Sequence, residues 1–429
     1  MTGPLRERDG ARALLVAGAE RARSGSGGLV LLQGASGTGR TAVLETAARD
    51  AEDRGLRVLW ARCSAEDTAV PFATVLQLLG PVPDFADLAP DGDDRGSAAR
   101  LWRLLRAYAA EGPLLLAVDD VHLADAPSRR WLREAVRRID RLPVLLVASE
   151  RSQYDIDPGR TGLARSLPPS LVRTHTIDPL GDTAAAELVR AAVPDADPEW
   201  TAQCVRAGAG SPLLLHALLD DLGGPQTAGP APEAVPPLPD TCAALYPGSY
   251  PAAVAWWLSS AGAATTEVAR CLAALEEAWP RPAHETDGTD GTDEIREAHE
   301  ARETREAGKP EAAGKRRTGR AAGAPAGTDV AGVLAEAAGA DPARVAGWLT
   351  AMTRIGLLRP DSAGLPRFAH RLLRDAVLTG WPTARRQAAH RVAAETMLRR
   401  GERVEAVAAH LLRARGGGGL VYPTDTADP

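Results

Sequence analysis

The residues whose types and spacing could do chemistry are concentrated in one stretch, Gly34-Ala35-Ser36-Gly37-Thr38-Gly39-Arg40-Thr41. Closely spaced glycines let a backbone curl until its N–H groups face inward as a nest for anionic oxygens. An apolar run, Leu29–Gln33, leads in and reads as a strand. A helix-forming run, Ala42–Ala51, leads out, so a helix N-terminus would aim its partial positive charge at the same anion. Thr41 stands where a hydroxyl could ligate Mg²⁺. Strand, Gly-rich turn and helix in this order form the setting of a phosphate-binding loop, G-x-x-x-x-G-K-[ST]. One position departs from it: the lysine is Arg40. Arginine is longer and planar and does not substitute freely for lysine. The chain holds only two lysines, Lys309 and Lys315, so wholesale replacement of lysine by arginine accounts for the change as well as a selected loss of activity does. Arg40 still neutralises phosphate charge, and binding is expected to survive better than hydrolysis.

A second chemical element is the run Leu114-Leu115-Leu116-Ala117-Val118-Asp119-Asp120. A continuous apolar run ending in two acids predicts a strand buried on both faces, with carboxylates at the sheet edge where ligands bind. Asp119 could hold Mg²⁺ opposite Thr41, and Asp120 could polarise a water for attack on a terminal phosphate. Asp125 is expected to cap the next helix, with Pro127 just inside it. A further buried strand, Pro143–Ser149, is followed by Glu150-Arg151. Arg151 could sense a terminal phosphate, or it could form a surface salt bridge.

The elements that must position these groups follow a regular alternation. Helices are predicted over 5–23, Pro71–Leu79 and from a Ser97 cap to Ala110, and strands at Leu56–Arg62 and Thr174–Ile177. Strand alternating with helix predicts a parallel sheet with helices on both faces, the α/β class. From Asp182 the chain turns helical, with helices at Thr183–Val193, Pro198–Ala207 and Pro212–Leu222, then an apolar helical stretch from Tyr250 to Trp279. Two further helices, Val330–Ala338 and Pro342–Ile355, precede a two-stranded wing, Leu357–Arg359 and Arg367–His370. Arg374–Leu378, Thr383–Arg399 and Val404–Arg415 close the helical part. The expected domains are an α/β core at 1–180, a helical lid at 181–222, a linker at 223–240, a helical segment at 241–279, a disordered low-complexity insert at 280–328, a winged-helix-like domain at 329–382, C-terminal helices at 383–415 and a flexible tail at 416–429. The acidic, Pro-rich segment 81–95 is expected to be a surface loop.

Composition narrows the function classes. A 429-residue chain with 45% hydrophobic and 25% charged residues has the profile of a globular protein of several domains. A net charge of −6 argues against a protein that coats nucleic acid or a membrane surface. Four scattered cysteines, Cys63, Cys204, Cys242 and Cys271, show no C-x-x-C spacing, which argues against a disulfide framework or zinc site and fits a reducing cytoplasm. No signal pattern opens the chain, and no apolar run approaches a membrane span.

In combination and order, the motifs resemble the STAND class of P-loop NTPases, in particular the ATPase module of actinobacterial LuxR-type transcriptional regulators. Leu5…Arg8-Asp9 is similar to that family's opening Gly-Arg-Glu box, without its glycine. Gly34–Thr41 matches its Walker A loop apart from Arg40, and Glu66…Pro71-Phe72 its acidic and Pro-aromatic positions. Asp119-Asp120-Val121-His122-Leu123-Ala124-Asp125 resembles its acid box, with Leu123 for Trp. Arg151 resembles the sensor arginine, Gly210-Ser211-Pro212-Leu213 the Gly-x-Pro motif against the nucleotide base, and Phe368-Ala369-His370 the winged-helix histidine. The resemblance implies ATP or ADP with Mg²⁺ as ligands, held by Arg8, Gly34, Ala35, Ser36, Gly37, Thr38, Gly39, Arg40, Thr41, Ala42, Pro212 and His370. It implies Thr41 and Asp119 for the metal and Asp120 and Arg151 for catalysis. In relatives the histidine reaches the β-phosphate of ADP; a packed or capping role for His370 is the alternative. The implied function is a nucleotide-binding regulatory switch linked to transcription, with slow or impaired hydrolysis. It would act through a protein partner or self-assembly rather than by direct nucleic-acid or membrane binding. A nucleotide-independent scaffold and a winged-helix DNA-binding protein are the rival readings. The helical repeats and helix-turn-helix domain that follow in such regulators are missing from this sequence.

Overall fold

The computed structural model describes residues 5–83, 85, 95–156, 162–223, 237–279 and 329–415. The expected insert at 280–328 and tail at 416–429 lie outside the described residues, as do most of the linker and of the acidic loop.

The N-terminal part is built on five strands, β1 (Gly28–Gly34), β2 (Arg57–Arg62), β3 (Leu114–Asp119), β4 (Val144–Arg151) and β5 (Val172–Thr176). They pair in the order β2-β3-β4-β1-β5, and every neighbouring pair is parallel. Side chains alternate across the sheet with period two. Leu29, Leu31, Leu114, Leu116, Val118 and Leu146 join one apolar core with α3 (Ala73–Leu79), α4 (Arg95–Ala110) and α5 (Ala126–Val136). Val30, Leu32, Leu115, Ala117, Leu145 and Val147 join a second core with α1 (Asp9–Arg23) and α2 (Arg40–Glu52). Two-sided burial is why the central strands read as unbroken apolar runs rather than as alternating ones. β1 and β3 flank β4 and run the same way, β3 ending one residue past the Val118–Ala148 pair and β1 ending at Gly34 opposite Arg151, so the Gly-rich loop after β1 and the acids ending β3 share one sheet edge. A parallel sheet in this order, with the Gly-rich loop joining its fourth strand to a helix, has the P-loop fold.

The second half is helical: α6 (Asp182–Ala192), α7 (Pro198–Gly208), α8 (Pro212–Gly223), α9 (Ser249–Ala261), α10 (Ala263–Glu276), α11 (Val330–Ala338) and α12 (Pro342–Arg354). A two-stranded antiparallel hairpin, β6 (Leu358–Pro360) with β7 (Pro366–Phe368), leads to α13 (Arg371–Leu378), α14 (Thr383–Arg399) and α15 (Val404–Ala414). One continuous apolar core runs through this half, from Leu180 to Val407, and includes Ile156 from the sheet part.

Several boundaries differ from the sequence expectation for physical reasons. The apolar stretch from Tyr250 is two helices, because Gly262 takes φ +90° between them. Ser97 does not cap α4; it sits in the second position after the helix begins at Arg95 and is fully buried. The helix expected from Pro71 starts at Ala73, since Phe72 is held at φ +60°. β4 extends to Arg151, so that arginine ends the strand rather than following it.

Candidate functional site

The loop's shape follows from its glycines. Gly37 and Gly39 take φ +81° and +92°, where other residues are strained. Gly37 has a second constraint: a Cβ there would stand 2.5 Å from Ser211 Oγ. That contact marks how closely the helical half approaches. Ser211 Oγ donates to Gly37 O (3.1 Å), Leu213 N–H donates to the same carbonyl (3.3 Å), and Pro212 packs beside Gly39. The loop is braced from the other side by Arg8, which is 7% exposed and donates to Thr38 O (3.0 Å) and Asp178 O (2.9 Å). Arg8 therefore meets the backbone of the loop. Thr38 Oγ1 donates back to Ala35 O (2.9 Å) and closes the turn.

The oxygen ligands stand together. Thr41 Oγ1 donates to Asp119 Oδ2 (2.9 Å), and Ser149 Oγ donates to Asp119 Oδ1 while accepting from Asp120 N–H (2.8 Å). Arg62 Nε lies 3.6 Å from Asp119 Oδ2. Among the described residues no group of three or more His, Cys, Asp and Glu could hold a metal ion. A cation here would rest on Thr41, Asp119 and oxygens supplied by a ligand. That donor set suits Mg²⁺, which binds through one or two carboxylates plus phosphates.

Next to this cluster stands a charged group of a different kind. Arg40 is 8% exposed, and its Nη2 lies 3.0 Å from Asp120 Oδ1. The contact is one of charge rather than of alignment: neither Arg40 Nη1 nor Asp120 Oδ1 has a hydrogen-bond partner. Burial lowers the Arg40 pKa and raises that of Asp120, each opposed by the other's charge. Asp120 itself is held at φ +51°, a left-handed conformation that strains a residue with a Cβ. His122 Nδ1 accepts from Arg151 N–H (3.3 Å); burial first, then Arg40 and Arg151, push its pKa down to about 3, so it is neutral. Arg151 donates through Nη1 to Ser260 O and through Nη2 to Asp155. Burial raises the Asp155 carboxyl to about 6 against the pull of Arg151.

Four buried polar atoms without hydrogen-bond partners, Arg40 Nη1, Asp120 Oδ1, Gln153 Nε2 and Asp155 Oδ1, belong to these neighbouring segments. Buried polar groups are nearly always paired, and a cluster of exceptions marks a place where a ligand supplies the partner. A buried guanidinium nitrogen with no acceptor, beside a curled Gly loop, fits a phosphate-bearing ligand.

The last acid of the box does structural work. Asp125 is 1% exposed and accepts from Phe72 N–H (2.9 Å), Thr74 N–H (3.3 Å) and Ser128 N–H (2.8 Å). It caps α5 and fixes the turn into α3 at once, which explains why Phe72 is held in its left-handed conformation. His370 lies apart from the loop in its bonding. Its Nδ1 accepts from Leu372 N–H (3.2 Å) and caps α13, and burial with Arg371 and Arg206 lowers its pKa to about 4. Among the described residues no hydrogen bond joins His370 to the loop.

The structure thus brings Gly34 to Ala42, Asp119, Asp120, Arg151, Arg8 and Pro212 to one edge of the sheet. It also adds residues to which the sequence gave no role: Ser149, Gln153, Asp155 and Ser260. Ser149 had a signal, since β4 pairs with β3 and places it beside Asp119. Asp155 meets Arg151 four residues away in its own segment, whereas Gln153 and Ser260 meet the loop through packing of segments distant in the chain.

Residues 4–147 match the family described as AAA ATPase domain. This stretch spans α1 to β4 and contains the loop and the acid box. The chain is also similar to an uncharacterised protein of Rhizobium meliloti (strain 1021), 48% identical over 54 residues, 13% of this chain and 5% of that protein. Among solved structures it resembles a STAND protein with a tetratricopeptide repeat sensor from Pyrococcus horikoshii (12% identity, TM-score 0.35, 96% of this chain and 48% of that one). It also resembles the Aeropyrum pernix ORC1 protein in complex with DNA (16%, TM-score 0.42, 88% and 94%). A third is the Thermotoga maritima RuvB Holliday junction branch migration motor (14%, TM-score 0.37, 83% and 90%). The chain thus spans about half the length of the STAND protein and a small part of the curated relative. No described helix is long and apolar enough to cross a membrane.

Proposed function

We propose that this chain binds ATP and ADP with Mg²⁺ at the Gly-rich loop and works as a STAND-type regulatory switch that hydrolyses ATP slowly. The observation that carries the reading is Arg40 Nη1, a buried cationic donor with no partner, on the guanidinium that directly follows the Gly-rich loop and whose Nη2 lies 3.0 Å from Asp120 Oδ1. Arg40 would meet phosphate oxygens, Thr41 and Asp119 would hold the metal, and Pro212 stands where the helical half closes over the loop. Bound Mg²⁺ would supply charge neutralisation on phosphate. Asp120 is the candidate for orienting water, and its contact with Arg40 is the reason hydrolysis is slow: the same carboxylate is drawn into a charge pair.

The order of the boxes supports a role in regulating transcription through a protein partner or self-assembly, in the cytoplasm. α11, α12 and the β6–β7 hairpin have the outline of a winged helix. Direct DNA binding through α12 is disfavoured by its side chains. Val345, Trp348 and Met352 are buried, and Arg344 Nη1 donates to Ile156 O (2.8 Å). Few cations are left for phosphate contacts.

Single-turnover phosphate release tests the hydrolysis half of this reading. Slow release by the wild type and about tenfold slower release by Asp120→Asn are expected. Equal release by the two would remove Asp120 from the reaction.

A further inference from the structure

We infer that the C-terminal end of α9 is a latch in which Ser260 holds both Arg151 and the Gly-rich loop, and that this latch sets the preference of the site for a nucleoside diphosphate over a triphosphate. The inference rests on the reading of the loop as a nucleotide site and names what regulates it.

Ser260 makes three bonds. Its carbonyl accepts from Arg151 Nη1, its hydroxyl shares a hydrogen bond with Ser36 Oγ (3.2 Å), and the same hydroxyl donates to Trp257 O (2.8 Å). The first two reach the core from a helix of the other half, more than one hundred residues away along the chain. The last carbonyls of a helix have no partner within it and carry partial negative charge. α9 ends at Ala261, and Gly262 at φ +90° turns the chain away, so Ser260 O stands among those end carbonyls. To Arg151 it offers what a phosphate oxygen offers, an acceptor with negative character. Asp155 takes the other Nη group. Both Nη groups of Arg151 are therefore engaged by protein, while Arg40 Nη1 is without a partner.

Secondary contacts make the latch a property of the whole helical half. Tyr250, Val254 and Trp257 bury α9 in its core. Thr265 Oγ1 of α10 accepts from Ile156 N–H (3.0 Å), and Arg344 of α12 donates to Ile156 O (2.8 Å). Segment 151–156 is thus tied to α9, α10 and α12, and releasing Arg151 loosens one body rather than one side chain. Ser36 N–H, a loop donor, is itself taken by Gln153 Oε1 (3.3 Å) of the same segment. The latch and the loop therefore share donors. A diphosphate needs the Arg40 side of the loop alone, whereas a longer phosphate chain competes with Ser260 for Arg151 and Ser36.

The test is a Ser36→Cys/Ser260→Cys double variant of the full chain, with the closeness of the two hydroxyls exploited as a disulfide. The four native cysteines are buried, with thiols pushed up to about 12 by burial, and they do not compete under mild oxidation. Binding of N-methylanthraniloyl ATP and ADP is measured before oxidation, after it, and after reduction. The disulfide is expected to form, to weaken ATP binding at least about tenfold and ADP binding less than about threefold, and to be reversed by dithiothreitol. A single Ser260→Ala variant, which removes the hydroxyl's bonds to Ser36 and to Trp257 O and keeps the carbonyl, is expected to raise ATP affinity about threefold with ADP unchanged. Failure of the disulfide to form, an oxidised form that binds ATP as well as the reduced one, or equal loss of both nucleotides overturns the latch. Wild type and reduced variant that bind neither nucleotide overturn the nucleotide reading itself, and the latch's role with it.

Discussion

The two sides of Thr41 are built on different principles. On the metal-facing side Thr41, Asp119 and Ser149 satisfy one another, and Asp120 N–H completes the ring. Nothing on that side is strained for want of a partner. On the arginine side Arg40, Asp120, Gln153 and Asp155 each keep a buried atom unpaired, and Arg151 reaches across to the helical half. The first side is rigid and complete before any ligand arrives, which suits a fixed cation seat. The second holds compensating charges in loose alignment and couples them, through Arg151 and Ser260, to the helical half, which suits a switch. A site that only catalysed would have both sides preorganised. The asymmetry supports the proposed reading of a switch with slow turnover.

The largest expected effect separates the structural acid from the site acids in the same box. Asp125→Ala leaves three N–H donors in a buried place without an acceptor and is expected to lower folding stability by about 3 kcal/mol. Thermal or urea unfolding reads it. A loss below about 1 kcal/mol would break the division between Asp125 and its neighbours. On the metal-facing side, Thr41→Val is expected to weaken Mg²⁺-dependent nucleotide binding about tenfold and to leave metal-free binding unchanged. Equal loss in both conditions would mean that Thr41 shapes the loop rather than the cation seat. The smallest effect concerns acid on the arginine side. His122 is neutral in the fold, with its pKa held down at about 3, while an unfolded histidine titrates near 6.5. Its contribution is therefore whole above pH 6.5 and is lost as pH falls from there toward 3. Between pH 7.5 and 5.5 a His122→Asn variant is expected to lose about 1 kcal/mol less stability than wild type. Identical losses would show that His122 is not buried as a neutral acceptor for Arg151.

The metal-facing side was legible in the sequence because its chemistry is local. Strand, loop and helix are contiguous, and an apolar run that ends in Asp119-Asp120 announces both burial and the sheet edge. The helices expected at Val330–Ala338 and Thr383–Arg399 have those same bounds in the fold. The arginine side was only half legible. Arg40 and Arg151 stood out as residues, but their partners did not, because Ser260 and Gln153 reach the loop through packing between segments more than one hundred residues apart. Gly262 is not marked as a break by pattern, since one glycine in an apolar helical stretch is tolerated and its φ is set by the turn it makes. The role of Asp125 was legible as a cap for α5, yet its hold on Phe72 and Thr74 depends on the approach of α3, which no local pattern encodes. His370 shows the converse. Its motif left a ligand contact and a capping role open, and its bond is the cap of its own helix.

The central claim is that Arg40 serves the loop as its phosphate cation. Equilibrium titration of ADP against wild type, Arg40→Ala and Arg40→Lys tests it directly. The account predicts at least about a hundredfold weaker binding for Arg40→Ala, from loss of a buried charge contact, and recovery to within about fivefold of wild type for Arg40→Lys. An Arg40→Ala protein that is folded and binds ADP as tightly as wild type would contradict it.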